Sequence, residues 1–570
     1  MNKSIKTAIA LVISGGVLAL PSLVYAQTPP DAGSLLRDIE SQRLDIAPPI
    51  RFGSELPPPL PDTGETITLV GLVFQGHEGL VSEAELQSLL ADAIGRNLGF
   101  NGLMFLADRV TEYVKNKGYF LAFAYLPEQD ISDGVLLITI QPGRIEGGGD
   151  WQHLLDNKTV NLTDRRIVNT LNNALKADTS GIIQANQMER GLLLFNDLAG
   201  ISARSDLQAG SEPGTTRVNV IFNDTDRYTG LAWVDNYGNF YTGTNRINLM
   251  ANVNNLSGMG DQFNAMVSIT SGLTYGRLGY QAPLGYSGLT INPYVSHLNY
   301  KLGEDFANQD LTGQATTYGA DLRYPIIRSR TANVNAIAGL EYKKLEDDTV
   351  ENITGKRDFN RAHLRLQGNH TNTKARGGFT QYQMTVQYGD VKNSLNANKT
   401  ETFGYVMANI SRLQNISSQW NVFVSAETQQ MPSRNLDSSE KFSIGGISGV
   451  RAYPSGEAAG DSGYKLTAEA RYDFSGPQGL GGDWQLQVFV DHGVVLRNKE
   501  TTSPFDTLPN RNELTGAGLG MSWSKPNAYS VRATYAHKIN DNPFQRRSSG
   551  LDSEAKNDNG RFWLQAMVWF

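Results

Sequence analysis

Cysteine is absent from all 570 residues of this chain. The protein can therefore form no disulfide bond, use no thiolate nucleophile and build no cysteine-rich metal site. The sequence also contains no phosphate-binding loop with lysine, no HExxH motif and no G-x-S-x-G nucleophile elbow, and its seven histidines are scattered. We expect a protein that is not an enzyme and that binds no cofactor, metal ion or nucleotide.

Long apolar stretches are equally scarce. Beyond residue 26 the chain has no run of about 18 apolar residues, the length that a membrane-spanning helix needs, and the mean hydropathy is -0.34. The formal net charge of -7 argues against a nucleic-acid partner. Glycine is abundant, at 58 residues, beside 23 tyrosines, 22 phenylalanines and 7 tryptophans. This composition suits the tight turns and aromatic girdles of a membrane β-barrel.

The N-terminus has the pattern of an export signal. Lys3 and Lys6 are followed by an apolar run of roughly 14 residues, which is too short to cross a bilayer. The stretch ends in Val24, Tyr25 and Ala26, and cleavage is expected after Ala26. We therefore expect residues 1–26 to be a signal peptide that is removed after export.

A short helix and a proline-rich linker are predicted next. Residues 27–44 contain one helical stretch in which Leu35, Leu36 and Ile39 lie on one side. Residues 45–65 contain prolines at positions 48, 49, 57, 58, 59 and 61, a composition that enforces an extended tether. The helix is therefore predicted to dock and undock on this linker.

Two small α+β modules follow. In residues 66–145 the hydrophobic period changes in the order strand, helix, helix, strand, strand, and Ser82 with Glu85 forms a capping box before the first helix. The same order recurs in residues 146–225. Two tandem modules of the same kind are indicated.

Residues 226–570 have the alternation of a membrane β-barrel. Ile247 and Leu249 alternate with Asn248 and Met250, and such segments are about ten residues long, as lipid-facing and water-facing sides of a strand require. We count 16 segments, which begin near residues 227, 243, 261, 275, 289, 314, 332, 360, 378, 399, 419, 463, 483, 512, 528 and 560. A barrel of this size encloses enough water to conduct an extended polypeptide unless it is plugged.

The last segment is typical of a strand that closes a barrel. It places Phe562, Leu564, Val568 and Phe570 on one face. An edge strand of a soluble sandwich is the alternative, but only helices and closed barrels satisfy every backbone hydrogen bond in lipid. We predict a mainly β protein with a 16-stranded transmembrane β-barrel, preceded by the two modules and the N-terminal helix.

Two charged positions in the barrel need a partner. The longest connection, residues 431–462, contains Arg451, and the period of two places Asp491 on the inner wall of the strand near 483, as a lone carboxylate among apolar neighbours. One interpretation is that the loop folds into the lumen and Arg451 pairs with Asp491, because a buried carboxylate without a cation is costly. The other is an exposed arginine and a hydrated carboxylate with no contact. The spacing leaves both open.

The complete arrangement resembles the TpsB outer-membrane transporters of two-partner secretion, the filamentous-haemagglutinin and haemolysin exporters of the POTRA-barrel superfamily. Two motifs carry the resemblance within the barrel. The family's V-R-G-Y loop motif is matched at Val450, Arg451 and Tyr453, and its F-x-D-x-G strand motif at Phe489, Asp491 and Gly493. The resemblance implies the Arg451–Asp491 pair inside the lumen.

One residue departs from the loop motif. Ala452 stands where the family has glycine. If that glycine has a positive φ in the family, the tip of the loop must differ in this chain, because alanine tolerates such angles poorly.

The resemblance also implies a location and partners. Residues 66–145 and 146–225 would be POTRA domains 1 and 2, which lie in the periplasm and recognise an unfolded partner. That partner would be a large secreted protein with an N-terminal two-partner secretion domain. The barrel, residues 226–570, would lie in the lipid of the bacterial outer membrane, be inserted by the barrel assembly machinery, and release the partner at the cell surface. The N-terminal helix would plug the barrel at rest, unless it is only a disordered tail.

Two functions are alternatives to the export of a partner protein. An assembly factor that inserts other barrels belongs to the same superfamily, but usually has more than two POTRA modules and lacks the N-terminal helix and linker. In a passive porin the modules would have no purpose. The sequence does not specify whether the cargo is an adhesin, a cytolysin, a haem-binding protein or a toxin.

Overall fold

The structure is a computed structural model that describes only part of the chain. It covers residues 29–41, 66–149, 151, 154–155, 159–175, 182, 184–212, 214–348, 354–372, 376–394, 399–477, 479–501, 509–540, 551–554 and 556–570. The predicted signal peptide and proline-rich linker lie outside these residues. No helix within them is both long and apolar enough to cross a membrane.

The first module has the predicted order of elements. After the lone helix α1 (Ala32–Ser41), its elements are β1 (Ile67–Thr68), β2 (Gly71–Gln75), α2 (Glu83–Leu90), β3 (Asn97–Leu98), α3 (Phe100–Asn116), β4 (Phe123–Tyr125) and β5 (Val135–Gln141). The sheet order is β2-β5-β4, with β2 parallel to β5. The predicted capping box of Ser82 and Glu85 is present at the start of α2. The two-residue strands β1 and β3 form a small extra pair.

The second module repeats this architecture. Its elements are β6 (Arg144–Ile145), α4 (Asp164–Leu175), α5 (Ala185–Asn196), β7 (Ile201–Ala209) and β8 (Thr215–Asp224). The sheet order is β6-β8-β7, with β6 parallel to β8. The predicted boundary after residue 145 is therefore wrong by one short strand. β6 belongs to the second sheet, because the last strand of each module needs a parallel first strand beside it.

Sixteen antiparallel strands then close into a barrel, which confirms the predicted fold class. They are β9 (Tyr228–Asp235), β10 (Arg246–Asn254), β11 (Gln262–Ile269), β12 (Leu273–Leu284), β13 (Leu289–Lys301), β14 (Thr312–Arg328), β15 (Ala332–Asp348), β16 (Thr354–Asn372), β17 (Gly378–Asn393), β18 (Lys399–Asn415), β19 (Trp420–Gln430), β22 (Ser462–Ser475), β23 (Asp483–Leu496), β24 (Arg511–Lys525), β25 (Tyr529–Lys538) and β26 (Gly560–Trp569). The two-residue strands β20 (Phe442–Ser443) and β21 (Ala459–Gly460) pair within the long loop between β19 and β22.

The alternation of the barrel strands separates an apolar outside from a polar inside. On β23, Leu486, Val488 and Val490 are exposed on the outer surface. Phe489 and Asp491, which alternate with them along the strand, are buried. β16 begins earlier than predicted, because its polar first residues continue the pairing with β15 beyond the apolar part of the strand. The period of two thus fixes which side chains face the lumen.

The second module sits directly on one end of the barrel, which we call the module end. Arg166 of α4 donates to the backbone oxygen of Gly285 in the turn between β12 and β13. Arg190 of α5 donates to the backbone oxygen of Pro325 at 2.8 Å. Arg328 on β14 pairs with Asp197, just after α5, at 2.7 Å. The module therefore forms part of the rim of the lumen.

The barrel closes by pairing its last strand with its first. The ladder between β26 and β9 has only five residue pairs, from Gln565–Asp235 to Trp569–Leu231. Phe562, Leu564, Val568 and Phe570 are exposed on the outer face, as predicted.

A side chain continues this short ladder. Asn236 Nδ2 donates to the backbone oxygen of Phe562 at 2.9 Å, and Asn236 Oδ1 accepts from the backbone N of Leu564 at 2.8 Å. The carboxamide therefore substitutes for a peptide group where the backbone pairing ends.

Removing this carboxamide should weaken barrel closure. Asn236→Ala deletes two hydrogen bonds, each worth about 1 kcal/mol net, so we expect a melting temperature lower by a few degrees, at roughly 2–4 °C per kcal/mol. The measurement is the loss of the folded band on unboiled gels as temperature rises. Asn299→Ala, at an exposed position on β13, should leave that temperature unchanged.

Candidate functional site

The lumen is occupied by α1. The helix begins where Asp31 Oδ1 accepts a hydrogen bond from the backbone N of Ser34 at 2.8 Å, a typical N-cap. Leu35 and Leu36 are buried, and Ile39 is partly buried beside them. They pack against side chains of the inner wall, among them Tyr275, Leu298, Tyr300, Leu345, Phe359 and Phe403. The apolar face predicted from the sequence is thus the face that holds the helix in the barrel.

Arg357 on β16 joins the helix, the wall and the long loop. Its Nη2 lies 2.9 Å from Asp31 Oδ2 and 2.6 Å from Asp347 Oδ2, and its Nη1 lies 2.9 Å from Asp437 Oδ2. Asp347 also accepts a hydrogen bond from the backbone N of Ala32 at 2.9 Å, at the positive end of the helix dipole. One guanidinium satisfies three carboxylates because it presents five donors in a rigid plane.

Sequence reasoning did not find Arg357. No motif contains it, and the helix and loop that it joins are distant in the chain. The alternation of β16 was the available signal, since it places Arg357 and Phe359 on the inner face.

The long loop, residues 431–461, folds back into the lumen and packs on α1. Arg37 Nη1 donates to the backbone oxygens of Ser438 at 2.8 Å and of Lys441 at 3.3 Å. A Cβ atom added at Gly33 would lie only 2.6 Å from the Cβ of Ser439, so a glycine is needed for this approach. Helix and loop therefore form one body, which we call the insert.

A second ion cluster holds the loop to the wall. Glu440 is buried, and its carboxylate accepts from Lys343 Nζ at 2.7 Å, from Arg361 Nη1 at 3.1 Å and from the hydroxyl of Tyr405 at 2.6 Å. A buried carboxylate is tolerated only when it is paired and hydrogen-bonded. The wall supplies both requirements from β15, β16 and β18.

The tip of the loop reaches the opposite wall through Arg451. Its Nε donates to Asp491 Oδ2 and its Nη2 donates to Asp491 Oδ1, each at 2.8 Å, so the pair is bidentate. The guanidinium also stacks on Phe489, 3.4 Å from the centre of the ring. Arg451 is 8% exposed and Asp491 is 0% exposed. The structure therefore brings the two sequence-predicted charges together inside the barrel.

Asp491 is not the lone carboxylate that the sequence analysis expected. Glu469 on β22 lies 2.7 Å from Arg451 Nη1, and Arg471 pairs with the same carboxylate at 2.7 Å. Glu469 lies on β22, outside the motif strand β23, so the motif alone does not predict it. The alternation of β22, which places Thr467, Glu469 and Arg471 inward, would have revealed the second acid.

Glycines on β23 and β24 make room for the loop tip. A Cβ at Gly493 would lie 3.0 Å from the Cβ of Ile444, and a Cβ at Gly516 would lie 2.6 Å from the Cβ of Ala452. Ala452 is not among the residues with a positive φ. Gly516 leaves room for the methyl group of Ala452, so alanine fits at this position without backbone strain.

The loop tip also touches both strands at the closure of the barrel. Trp563 Nε1 on β26 donates to the backbone oxygen of Arg451 at 2.7 Å. Ser455 Oγ donates to the backbone oxygen of Tyr237, just after β9, at 3.2 Å. The hydroxyl of Tyr453 donates to the backbone oxygen of Asn540 at 2.7 Å. Val450 and Tyr453 are fully buried.

The site is a filled channel. Within the described parts of the chain, no cluster of histidine and acidic side chains has the geometry of a metal site. The insert is held by ion pairs and hydrogen bonds, which can be exchanged for water or for another ligand. A polypeptide can pass only if the insert moves.

Two parts of the chain match known families. Residues 214–523 match the family of haemolysin secretion/activation proteins ShlB/FhaC/HecB, and residues 67–143 match the ShlB-type POTRA domain. The heme/hemopexin transporter protein HuxB of Haemophilus influenzae strain 86-028NP is 27% identical over 594 residues, covering 99% of each chain. The outer membrane transporter CdiB of Escherichia coli strain 536 is 25% identical over 493 residues, covering 81% of this chain and 78% of CdiB.

Solved structures show the same fold. CdiB from Escherichia coli superposes with a TM-score of 0.66 at 19% identity and covers 100% of this chain and 99% of its own. BamA from Haemophilus ducreyi lacking POTRA domains 1–3 superposes with a TM-score of 0.52 at 14% identity, covering 89% of this chain and 100% of its own.

Loss of the Arg451 guanidinium should release the loop tip. Arg451→Ala leaves Asp491 buried without a cation, which costs roughly 3–5 kcal/mol. In the otherwise cysteine-free chain, Ser455→Cys reports on the tip. We expect it to react with a membrane-impermeant maleimide at least about tenfold faster in the Arg451→Ala background, since 1.4 kcal/mol already corresponds to tenfold. Arg511→Ala, at an exposed arginine on β24, is the control, and equal labelling in both backgrounds would contradict this role.

Loss of Arg357 should loosen the whole insert. Arg357→Ala leaves Asp31, Asp347 and Asp437 close together without their shared cation, so the helix and the loop should separate from the wall. We expect more frequent and larger channel openings in planar lipid bilayers than for wild type. Lys356→Ala is the matched control. Lys356 precedes Arg357 on β16, so the alternation of the strand directs it outward, where it pairs with Glu346 at 3.2 Å. Identical recordings from Arg357→Ala and wild type would contradict the role of Arg357 in holding the insert.

Proposed function

Since the chain belongs to the family of haemolysin secretion/activation proteins ShlB/FhaC/HecB, we propose that it exports a large partner protein that carries an N-terminal two-partner secretion domain. The chain is an outer-membrane transporter of two-partner secretion, with a 16-stranded barrel in the membrane and POTRA modules in the periplasm. The module end of the barrel is therefore periplasmic, and the opposite end faces the cell exterior.

The partner crosses the barrel as an extended chain. A lumen of this size accommodates an extended polypeptide and water, but not a folded domain. The insert keeps the lumen closed at rest. Export requires that α1 withdraws towards the periplasm on the predicted linker of residues 45–65 and that the loop leaves its position.

The observation that supports this gated channel best is how the insert is attached. Arg357, Glu440 and Arg451 hold it through exchangeable ion pairs, and all three lie within the lumen. In this proposal Arg451 and Asp491 tether the loop tip, Phe489 and Gly493 shape the wall that receives it, and Val450 and Tyr453 of the tip pack against that wall. The tether is a positioning device, and its net contribution to stability is small compared with the cost of breaking one partner.

POTRA module 1 is the proposed receptor for the partner. β4 is an edge strand of its sheet, and Phe123 and Tyr125 on this edge are 45% and 38% exposed, with ring centres 5.9 Å apart. The neighbouring helix α3 exposes Phe100 and Phe105. The backbone N–H of Ala124, in the middle of β4, already donates to Thr111 Oγ1 of α3 at 2.8 Å. The exposed aromatic side chains are therefore the part of this edge that holds the apolar residues of an extended segment.

No catalytic step is part of this proposal. Export proceeds without nucleotide hydrolysis at this chain, and folding of the partner outside the cell prevents its return. The other partners that we propose are the lipid of the outer membrane and, during biogenesis, the barrel assembly machinery.

An assembly factor for other barrels is the alternative function. The similarity to BamA concerns the fold alone at 14% identity. Two modules and a helix inside the lumen favour export, because a filled lumen controls passage through the barrel. Deleting this chain should leave the partner retained or degraded in the periplasm while other outer-membrane barrels assemble normally. A general loss of outer-membrane barrels would favour the alternative.

The receptor role is tested at the edge strand. Phe123→Ser with Tyr125→Ser removes apolar contact area without disturbing the module core. At about 25 cal/mol per Å² of buried apolar surface, we expect at least a tenfold loss of export. Secreted and periplasmic partner are quantified by immunoblot. Ile94→Ser, at another exposed apolar residue of module 1, is the control. Unchanged export in the double variant would reject β4 as the receptor.

A further inference from the structure

Carboxamide side chains line four adjacent strands of the lumen near its periplasmic end. One row runs across β15 to β18 through directly paired residues, Asn335, Gln367, Gln383 and Asn409. The row nearer the periplasm contains Asn333, Asn369 and Gln381, which are also directly paired. We call these seven residues the amide ladder.

The ladder faces the lumen. On the same strands the alternate positions carry Leu366, Met384 and Ile410, which are exposed on the outer face of the barrel. The period of two therefore directs the amides inward. Neither row contains a charged residue. Three charged residues adjoin the first row: Arg323 donates to Asn335 at one end, Glu427 is paired with Asn409 at the other, and Arg365 is the next inward residue of β16 beyond Gln367.

The ladder differs in chemistry from the part of the lumen that holds the insert. That part is built of ion pairs around Arg357, Glu440 and Arg451. A neutral surface at the entrance is therefore a local property and not a general feature of the wall.

Several ladder amides have no hydrogen-bond partner within the described part of the chain. Asn333 Nδ2 donates to Asn369 Oδ1 at 2.9 Å, and Asn335 accepts from Arg323 at 3.1 Å. By contrast, the side chains of Gln367, Gln381 and Asn409 make no hydrogen bond to any residue that the structure describes, and they are partly or fully exposed in the lumen. Each of these amides offers two donors and a carbonyl acceptor to whatever enters.

The ladder is continuous with the periplasmic modules. Arg328 on β14 pairs with Asp197 at the end of α5, and its Nη1 donates to Asn333 Oδ1 at 2.8 Å. A chain that leaves the second module therefore meets the ladder first.

We propose that the amide ladder binds the peptide backbone of the entering polypeptide, whatever the charge of its side chains. This inference rests on the proposed function and names the surface that receives the extended chain. Every residue of an extended chain except proline presents one N–H and one C=O, and a carboxamide matches both. Acidic or basic walls would retain segments of opposite charge, and apolar walls would adsorb hydrophobic segments. A neutral amide surface does neither.

The resting full-length protein is suitable for the test, because the ladder lies on the periplasmic side of the insert. Ser411→Cys, beside Gln381 in the second row, gives a unique site for an environment-sensitive dye in a chain without cysteine. The probes are three short Gly-Ser peptides, one with lysines, one with glutamates, and one in which every glycine is replaced by N-methylglycine. Binding is measured from the dye in lipid nanodiscs at physiological salt.

We expect the lysine and glutamate peptides to bind with dissociation constants within about threefold of each other, since the two rows carry no charge, the charges at their ends, Arg323 and Glu427, have opposite signs, and salt screens both. The N-methylated peptide, which lacks the backbone N–H of every glycine, should bind at least about fivefold more weakly, as expected for loss of hydrogen bonds worth about 1 kcal/mol each. Equal binding of the N-methylated peptide, or no response to any peptide, would overturn the proposal. So would a response to maltohexaose alone, which would indicate a saccharide surface.

Two variants separate backbone recognition from charge. Gln367→Glu with Gln383→Glu and Asn409→Asp should make binding favour the lysine peptide by at least about tenfold, because each acid lies within a Debye length of the bound peptide. The same charge change at the outward, extracellular positions Asn299, Gln314 and Asn360 is the matched control and should not. Gln367→Met with Gln383→Met keeps the size of the side chains but removes their hydrogen bonds, and should weaken binding of both charged peptides equally.

The result is distinguishable from a failure of the proposed function. Peptide binding is measured without export, so a ladder that binds peptides in a protein that exports no partner would reject the proposed function alone. Met variants that bind every peptide as wild type does would reject the ladder alone.

Discussion

The pairing of buried charges across the lumen is the constraint on which the resting structure depends. Arg451 is removed from water only because Asp491 and Glu469 surround it, and Glu440 is buried only because two cations and a tyrosine meet it. Such pairs contribute little net stability against the fully hydrated state, yet they strongly penalise the loss of a single partner. The insert is therefore fixed in one position without being held permanently, which suits a part that has to move.

Much of the fold was predictable because the bilayer imposes a simple rule on each strand. The period of two predicted the sixteen strands and the inward direction of Asp491, and the family motifs singled out Arg451 as its partner. The contacts that depend on three distant segments were not predictable. Arg357 joins residues on α1, β15 and the long loop, and nothing in its neighbourhood along the chain marks it. β6 was misplaced because two residues carry too little periodicity to be recognised, and the fit of Ala452 depends on Gly516, far along the chain.

The interior of the barrel is divided by height. Around the insert the wall presents charges and aromatic rings, which bind one defined object in one orientation. Towards the periplasm the same strands present neutral amides, which have no preference for orientation or sign. The change occurs within single strands: on β16, Arg357 and Phe359 contact the insert, whereas Gln367 and Asn369 lie nearer the second module. The insert and the entering polypeptide thus contact different side chains on one continuous sheet.

The bond between Trp563 and the backbone of Arg451 has a consequence for biogenesis. Trp563 belongs to the strand that closes the cylinder, whereas Arg451 belongs to a loop that already lies inside it. Docking of the tip and pairing of the final strand with β9 therefore stabilise each other, because each positions one half of this hydrogen bond. During maturation the seam of the wall is strongest once the loop is seated, and a barrel whose tip has left its seat has a weaker seam.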